Sequence, residues 1–268
     1  MAKAGQPKAP ANPLTTRWEQ WLFAPKDAHG LAIFRIGFGL VMLWEMGYFA
    51  SLDFPETFIH APQVNLKYPL LEFVQPLSSG GLWLVIVTLM ACCVLIALGK
   101  FYRWAMGGFC VGFTYLFLLD TAYYNNHLYL ICLLAFLLFF CQADAALTID
   151  KAQAARGPTI PAWNYWVLRG QLFIVYFFGG VAKLNADWLV HLEPVHTMLA
   201  YKAKAAPGMA GFLQHEGMAY FIAYGGVAFD LIIGFLLLYR PTRKIGFAGA
   251  LVFNGLNAWI FDDINIFP

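Results

Sequence analysis

Long apolar runs separated by short polar segments recur along the whole chain. Seven runs, at roughly 31–50, 82–98, 104–119, 127–141, 163–183, 219–239 and 245–261, predict helices that cross a bilayer. The third and fourth hold about 16 and 15 residues, fewer than the ~20 that a perpendicular span wants. Trp104 at the start of the third and Tyr123-Tyr124 before the fourth extend them at the depth where interfacial aromatics belong. The expected fold class is all-α, a polytopic membrane helix bundle of about seven spans.

The positive charges orient the bundle. With the N-terminus in the cytoplasm, Lys3, Lys8, Arg17, Lys26, Lys100, Arg103, Lys151, Arg156, Arg240, Arg243 and Lys244 fall on the cytoplasmic side. Lys67, Lys202 and Lys204 fall outside, and Arg35, Arg169 and Lys183 stay within spans. Eleven cations against three satisfies the positive-inside rule. Polar residues before span four (Asn125, Asn126, His127), after span five (Lys183, Asn185, Asp187, Trp188) and in or after span seven (Asn254, Asn257, Asp262, Asp263) then converge on the outer leaflet. The larger loops 51–81 and 184–218 share that side, as a lid or a partner surface.

Composition agrees: 60% of residues are hydrophobic and only 12% charged, against about 25% charged in soluble domains. The net charge of +2 comes with no basic tract of the kind that binds nucleic acid. The five cysteines (92, 93, 110, 132 and 141) lie in apolar stretches without metal-ligand or redox spacing, and read as packing residues. Residues 1–27 are expected to form a flexible cytoplasmic segment, because its start is rich in Ala, Pro and Lys and carries no cleavable signal. Residues 28–268 form the membrane domain. No phosphate loop, nucleophile elbow or internal repeat is present. Gly179-Gly180 and Gly225-Gly226 are expected to let helices approach closely.

The chemistry concentrates in WNYWVLRGQLFIVYFFGGVAKLNADW, residues 163–188. A cation in hydrocarbon costs several kcal/mol and marks a functional-site hypothesis. Arg169 and Lys183 stand fourteen residues apart, about 21 Å along a helix and within about 40° of one face. Arg169 and Arg35 also read as structural cations that bind carbonyls or pair with Glu45 or Asp230. Lys183 reads equally as a residue that snorkels to the interface, His127 as a satisfied interfacial histidine, and Asn125 and Asn126 as caps of span four. His191, His196 and His215 show no metal spacing.

That segment resembles the signature of the vitamin K-dependent γ-glutamyl carboxylase family, whose bacterial relatives share its membrane part, the horizontally transferred transmembrane domain. LAIFRIGFGLVML, LLDTAYYNNHLYL and YGGVAFDLIIGFLLLYRPTRKIGF match in family order, so the resemblance covers roughly residues 28–268. It implies a membrane enzyme that oxidises vitamin K hydroquinone, or another quinol, with O2. The energy released drives γ-proton removal from a protein glutamate and addition of CO2. The family's lysine base matches Lys183, and the histidine of its WNNH-type motif matches His127; these are the candidate catalytic residues. Asn126, Asn254, Asn257 and Arg169 are candidates for binding the quinol, and no metal is implied. Burial disfavours an ammonium, so a lysine held in apolar surroundings is available as a neutral base. The resemblance places the protein in a bacterial inner membrane, among lipid, with its site toward the periplasm and a glutamate-containing protein as substrate there.

Two positions depart from the family. Asn254 stands where a histidine is common, and an amide does not take up a proton at useful pH; Ile264-Asn265 replaces an Ile-Gly pair. The family usually carries an eighth span, so either a minimal form or a chain that stops early is expected. A noncatalytic integral subunit that packs in or anchors a larger membrane complex is the alternative function. Transport is weaker, without broken-helix pairs or repeated halves.

Overall fold

In the computed structural model, residues 13–260 are described. Residue 261 of the seventh predicted span, Asp262, Asp263 and the Ile264-Asn265 pair lie outside them. The chain divides into two compact units, residues 1–167 and 168–268.

The first unit begins with α1 (Pro13–Leu22), a short strand β1 (Pro25–Asp27) and α2 (His29–Ser51). Residues 13–27, within the segment expected to be flexible, hold α1 and β1. Pro13 sits at the start of its helix, where proline's fixed φ is favourable, and Trp21 stacks on Trp166 at 4.4 Å. α3 (Ser79–Leu98), α4 (Tyr102–Phe117), α5 (Asn126–Phe140), α6 (Lys151–Ala154), β2 (Thr159–Pro161) and the start of α7 (Trp163–Ala182) complete the unit. β1 and β2 pair antiparallel with Lys26 opposite Ile160, a small exception to an otherwise helical chain. The Tyr165 hydroxyl donates to the Asp27 carbonyl (2.7 Å) and accepts from the Leu31 N–H (3.1 Å), which ties this strand pair to the start of α2. The second unit holds the rest of α7, then α8 (Ala186–Leu189), α9 (Glu193–Ala205), α10 (Ala210–Leu213), α11 (Glu216–Leu238) and α12 (Arg243–Ile260).

Each of the seven predicted spans is a helix within a few residues of its expected ends. Among the described residues, four of them, α2, α3, α7 and α11, are long and apolar enough to cross a membrane; α5 is apolar but shorter. Local sequence sets the ends. The Ser78 hydroxyl accepts from Gly81 N–H at the start of α3, and Asn125 accepts from His127 N–H at the start of α5. α3 ends on Gly99 at φ 72°, the left-handed conformation that glycine adopts without a Cβ penalty, so its N–H returns to the Ile96 carbonyl.

Lipid offers little hydrophobic drive between helices, so close packing at small residues takes over. A β-carbon at Gly39 of α2 would lie 2.8 Å from the Cys93 carbonyl oxygen and the Ala97 nitrogen of α3. In the second unit, one at Gly180 would lie 2.9 Å from the Leu231 side chain, and one at Gly234 would lie 2.6 Å from the Phe173 ring. The packing role expected of Gly225-Gly226 is not what is found: a β-carbon at either meets nothing within 4 Å. The cysteines are free thiols, three of them buried.

Arg35 is fully buried. It donates to the carbonyls of Ala97, Ala143, Ala146 and Leu147, at 3.3, 3.3, 3.4 and 2.6 Å. The carbonyl reading of this cation holds, and Glu45 is not its partner: Glu45 Oε2 is buried with no hydrogen-bond partner among the described residues. One guanidinium thus gathers the end of α3 and the chain that leaves α5.

Arg35→Leu should lower stability by about 3 kcal/mol or more, because buried carbonyls lose a charged donor. Arg35→Lys should recover little, since an ammonium lacks the planar fork. Thermal unfolding in detergent checks this, and an unchanged midpoint for both variants would remove Arg35 from the framework. Gly39→Val should push α2 from α3 and lower the same midpoint; wild-type behaviour would contradict the close approach.

Candidate functional site

Lys183 follows the last residue of α7 and reaches α11. Its Nζ lies 2.5 Å from Asp230 Oδ2, in a hydrogen-bonded ion pair. The Asp230 side chain is 8% exposed and that of Lys183 is 27% exposed. The lysine does not snorkel away from the protein but turns onto a buried carboxylate. This also corrects the pairing expected of Asp230, which was Arg169 or Arg35.

Lys183 stands directly after the last residue of α7, at the end of its span, as its place in the sequence predicts. Asp230, however, lies fourteen residues after Glu216 and eight before Leu238, roughly 21 Å and 12 Å from the two ends of α11. The chain leaves α7 within the length covered by α11, then folds along it. Asn185 caps α8 by accepting from Trp188 N–H at 2.9 Å. The Trp188 indole donates to the Ala223 carbonyl (3.1 Å), and the Tyr224 hydroxyl donates to the Leu189 carbonyl (2.7 Å). Bare backbone at membrane depth is tolerated only where protein buries it or a cavity meets it. The Trp188 ring, 5.0 Å from Nζ, adds a cation–π contact.

Small residues leave room beside the pair. Gly179 lies one turn before Lys183, and a β-carbon there would meet only Asp230 Oδ2, at 4.0 Å. Gly226 lies one turn before Asp230 and faces open space. Both occupy the i−4 position and so share the face of the charged residue.

Asn254 of α12 also enters this unit's interior. Its amide donates to the Tyr176 hydroxyl at 3.4 Å, and Tyr176 precedes Lys183 by seven residues, about 10 Å along the helix. Phe229, next to Asp230, stacks on Phe253, next to Asn254, at 3.9 Å and meets Tyr176 edge-on at 6.0 Å. Asn257 lies one turn further along α12, half-buried. Arg169 is half-buried two turns before Tyr176 on α7. The second unit thus brings Lys183, Asp230, Trp188, Tyr176 and Asn254 together around the packed faces of α7, α11 and α12.

The segment 184–218, expected as an outer loop, is mostly helical. Leu192, Val195, Leu199 and Ala203 of this segment pack with Leu213, Ala219, Ala223 and Ile260. Lys202 is buried rather than solvated, 5.6 Å from the Trp259 ring. His191 and His196 are exposed, and His215 caps α11 by accepting from Gly217 N–H.

His127 and Asn126 belong to the first unit, at the start of α5. His127 Nδ1 lies 2.9 Å from Asn125 Oδ1. The capping role falls to Asn125, whereas Asn126 is the exposed first residue of the helix. Around them, Tyr124 and Tyr129 meet Phe117 at 5.8 and 6.1 Å, an aromatic collar at the helix mouth.

Sequence reasoning named Lys183, His127 and Asn254 but missed Asp230 as the partner of the lysine. The signal was present: Asp230 is the one charged residue between Ala219 and Tyr239, and an acid inside a span demands a partner. Tyr176 and Trp188 carried no signal apart from their neighbours. A lysine and a carboxylate in direct contact, among apolar helices with space at two glycines, can pass a proton between them and offer an amine to an acidic hydroxyl. No solved structure matches the chain. The sequence profile of the HTTM domain family matches residues 23–268, and with all but its first 22 residues inside that match, the chain belongs to the HTTM domain family.

Proposed function

We propose that this HTTM protein is a quinol-oxidising membrane enzyme of the vitamin K-dependent γ-glutamyl carboxylase type, in a bacterial inner membrane. The observation that carries the reading is the Lys183–Asp230 pair, held 2.5 Å apart inside the length of α11. A bare structural pair at this depth is costly, because desolvation of two charges offsets most of their attraction. Retention of such a pair beside open space favours a working acid–base couple.

Within this proposal, transfer of the ammonium proton from Lys183 Nζ to Asp230 Oδ2 leaves two neutral groups and frees the amine. The amine then accepts the proton of a quinol hydroxyl as general base. The Trp188 ring, 5.0 Å from Nζ, orients the amine and keeps water from it. Beside the pair, a β-carbon at Gly179 or Gly226 would find no atom nearer than 4.0 Å, and in this proposal the quinol approaches along that face. The residues present fit a lipid-soluble hydroquinone, which when bound supplies the reducing equivalents for O2 and, in the carboxylating form of the chemistry, the driving force for adding CO2 to a glutamate side chain. Asn254, Asn257 and Arg169 of the second unit act in this proposal as further binding residues, while the roles of His127 and Asn126 rest on the family resemblance alone. The Asn254–Tyr176 bond takes the place of an acid–base function at that position.

A second reading has one observation in its favour. The Asn254 amide is already engaged by Tyr176 where the related enzymes commonly place a histidine, which suits a noncatalytic subunit of a larger membrane complex. Stoichiometric co-purification with another membrane protein would favour it.

In lipid, the purified protein should convert reduced vitamin K to its epoxide with O2. Labelled bicarbonate and a glutamate peptide test whether carboxylation accompanies this. Lys183→Ala should reduce epoxide formation by about 10²- to 10⁴-fold, the usual weight of a general base; undiminished turnover by the folded variant would sink the proposal. Asp230→Asn keeps the shape but removes the proton acceptor, and should lower turnover and shift the pH–rate profile. Asn254→His should raise turnover if the missing histidine limits it, and an unchanged rate would mean the pocket has adapted around the amide.

A further inference from the structure

A second site of different chemistry lies wholly within the first unit, at its cation-rich end. There α4 begins, the chain leaves α5, and α6 leads to β2. A cleft of about 400 Å³, open on one side, is lined by Arg103, Trp104, Asp144, Asp150, Gln153 and Arg156. Two guanidiniums and two carboxylates in one cleft are unusual in a chain with 12% charged residues.

The cleft is built rather than incidental. Its floor is the segment 143–147, whose carbonyls at Ala143, Ala146 and Leu147 accept from the buried Arg35. Thr148 Oγ1 donates to the Gly99 carbonyl at 2.8 Å, and Ile149 N–H donates to the Leu98 carbonyl at 3.2 Å, which fixes the far wall. Asp150 Oδ1 accepts from Ala152 N–H and Gln153 N–H, so α6 and its charged end are set in place. Two lining residues hold positive φ, Phe101 at 49° and Gly157 at 83°. Non-glycine residues persist in that conformation where their surroundings determine it, and they concentrate at ligand sites.

The charges have an order. Arg103 lies over the Phe139 ring, 6.0 Å from its centre. Burial pushes the Asp144 carboxyl above its usual range, against the opposing pull of Arg35 and Arg103. A further cation beside Asp144 would therefore relieve an unfavourable desolvation. At the mouth, Trp104 is 85% exposed and Phe101 is 59% exposed. Such aromatics belong at the headgroup level of a bilayer, and the charge bias assigns this end to the cytoplasmic face.

We propose that this cleft binds the headgroup of a zwitterionic phospholipid that carries a primary ammonium, with the phosphate on Arg103 and Arg156, the ammonium on Asp144 and Asp150, and the acyl chains along Trp104 and Phe101. Planar guanidiniums suit phosphate oxygens. The carboxylates exclude a purely anionic headgroup by repulsion, and they bond an N–H donor better than a quaternary amine, which has none.

The test is native mass spectrometry of the full chain released from nanodiscs that contain equal amounts of phosphatidylethanolamine, phosphatidylglycerol and phosphatidylcholine. Phosphatidylethanolamine should be retained over both others. The paired variant Arg103→Gln with Arg156→Gln should reduce that retention by about tenfold. Asp144→Asn should abolish the preference over phosphatidylglycerol while leaving total lipid retention. Arg156 is exposed, so Arg156→Gln alone keeps the test available if the paired variant does not fold, with a smaller loss in the same direction expected. Equal retention of the three lipids, or wild-type preference in Asp144→Asn, would overturn the proposal. Water-soluble glycerophosphoethanolamine, added as a competitor at the same concentration, should not displace the lipid; full displacement would assign the cleft to a soluble phosphoamine and overturn the lipid source.

Discussion

A cation inside an apolar helix bundle must find acceptors within the protein, because lipid supplies none. Much of this structure follows from how two cations meet that demand. Arg35 takes backbone carbonyls from the end of α3 and from the chain beyond α5. Its planar fork serves several acceptors that no helix could satisfy by itself, and so it acts as a fastener. Lys183 takes a single carboxylate, Asp230. An ammonium with one strong partner is fixed in place less completely, and its proton has somewhere to go. The same constraint yields a scaffold in one unit and a candidate acid–base couple in the other.

The placement of that couple depends on where α7 ends. Had the helix continued, Lys183 would have been carried further along its axis. Instead α7 stops at Ala182, Asn185 starts α8, and Trp188 and Tyr224 bind the returning chain to α11. The glycines complete the arrangement. Gly180 and Gly234 bring α7 and α11 into contact, while Gly179 and Gly226 leave space on the faces that carry the charges. Tight packing and adjacent space together are what a site for a flat, lipid-soluble molecule requires.

Membership of the HTTM domain family fits the helical architecture, and the proposed quinol reading would give the pair a task. The cleft at the cation-rich end belongs to another part of the problem. It combines opposite charges, a braced floor and exposed aromatics, and the lipid site proposed there is independent of the quinol reading.

Hydropathy alone located the seven helices, because apolar length is a local property and hydrocarbon enforces it. The intramembrane charges Arg35, Lys183 and Asp230 were also legible one by one, since each interrupts an apolar run. Their pairing was not. Asp230 lies 47 residues from Lys183, and periodicity assigns a residue to a face of its own helix without naming the helix opposite. Tertiary structure decided that Arg35 takes carbonyls instead of Glu45, that Asn125 caps α5 and Asn126 does not, that Gly225 and Gly226 meet space, and that residues 184–218 fold into packed helices around a buried Lys202. The physical reason is common to all of them: a polar or small residue in a bundle is defined by what the neighbouring helix presents, and that neighbour is chosen by packing over the whole chain.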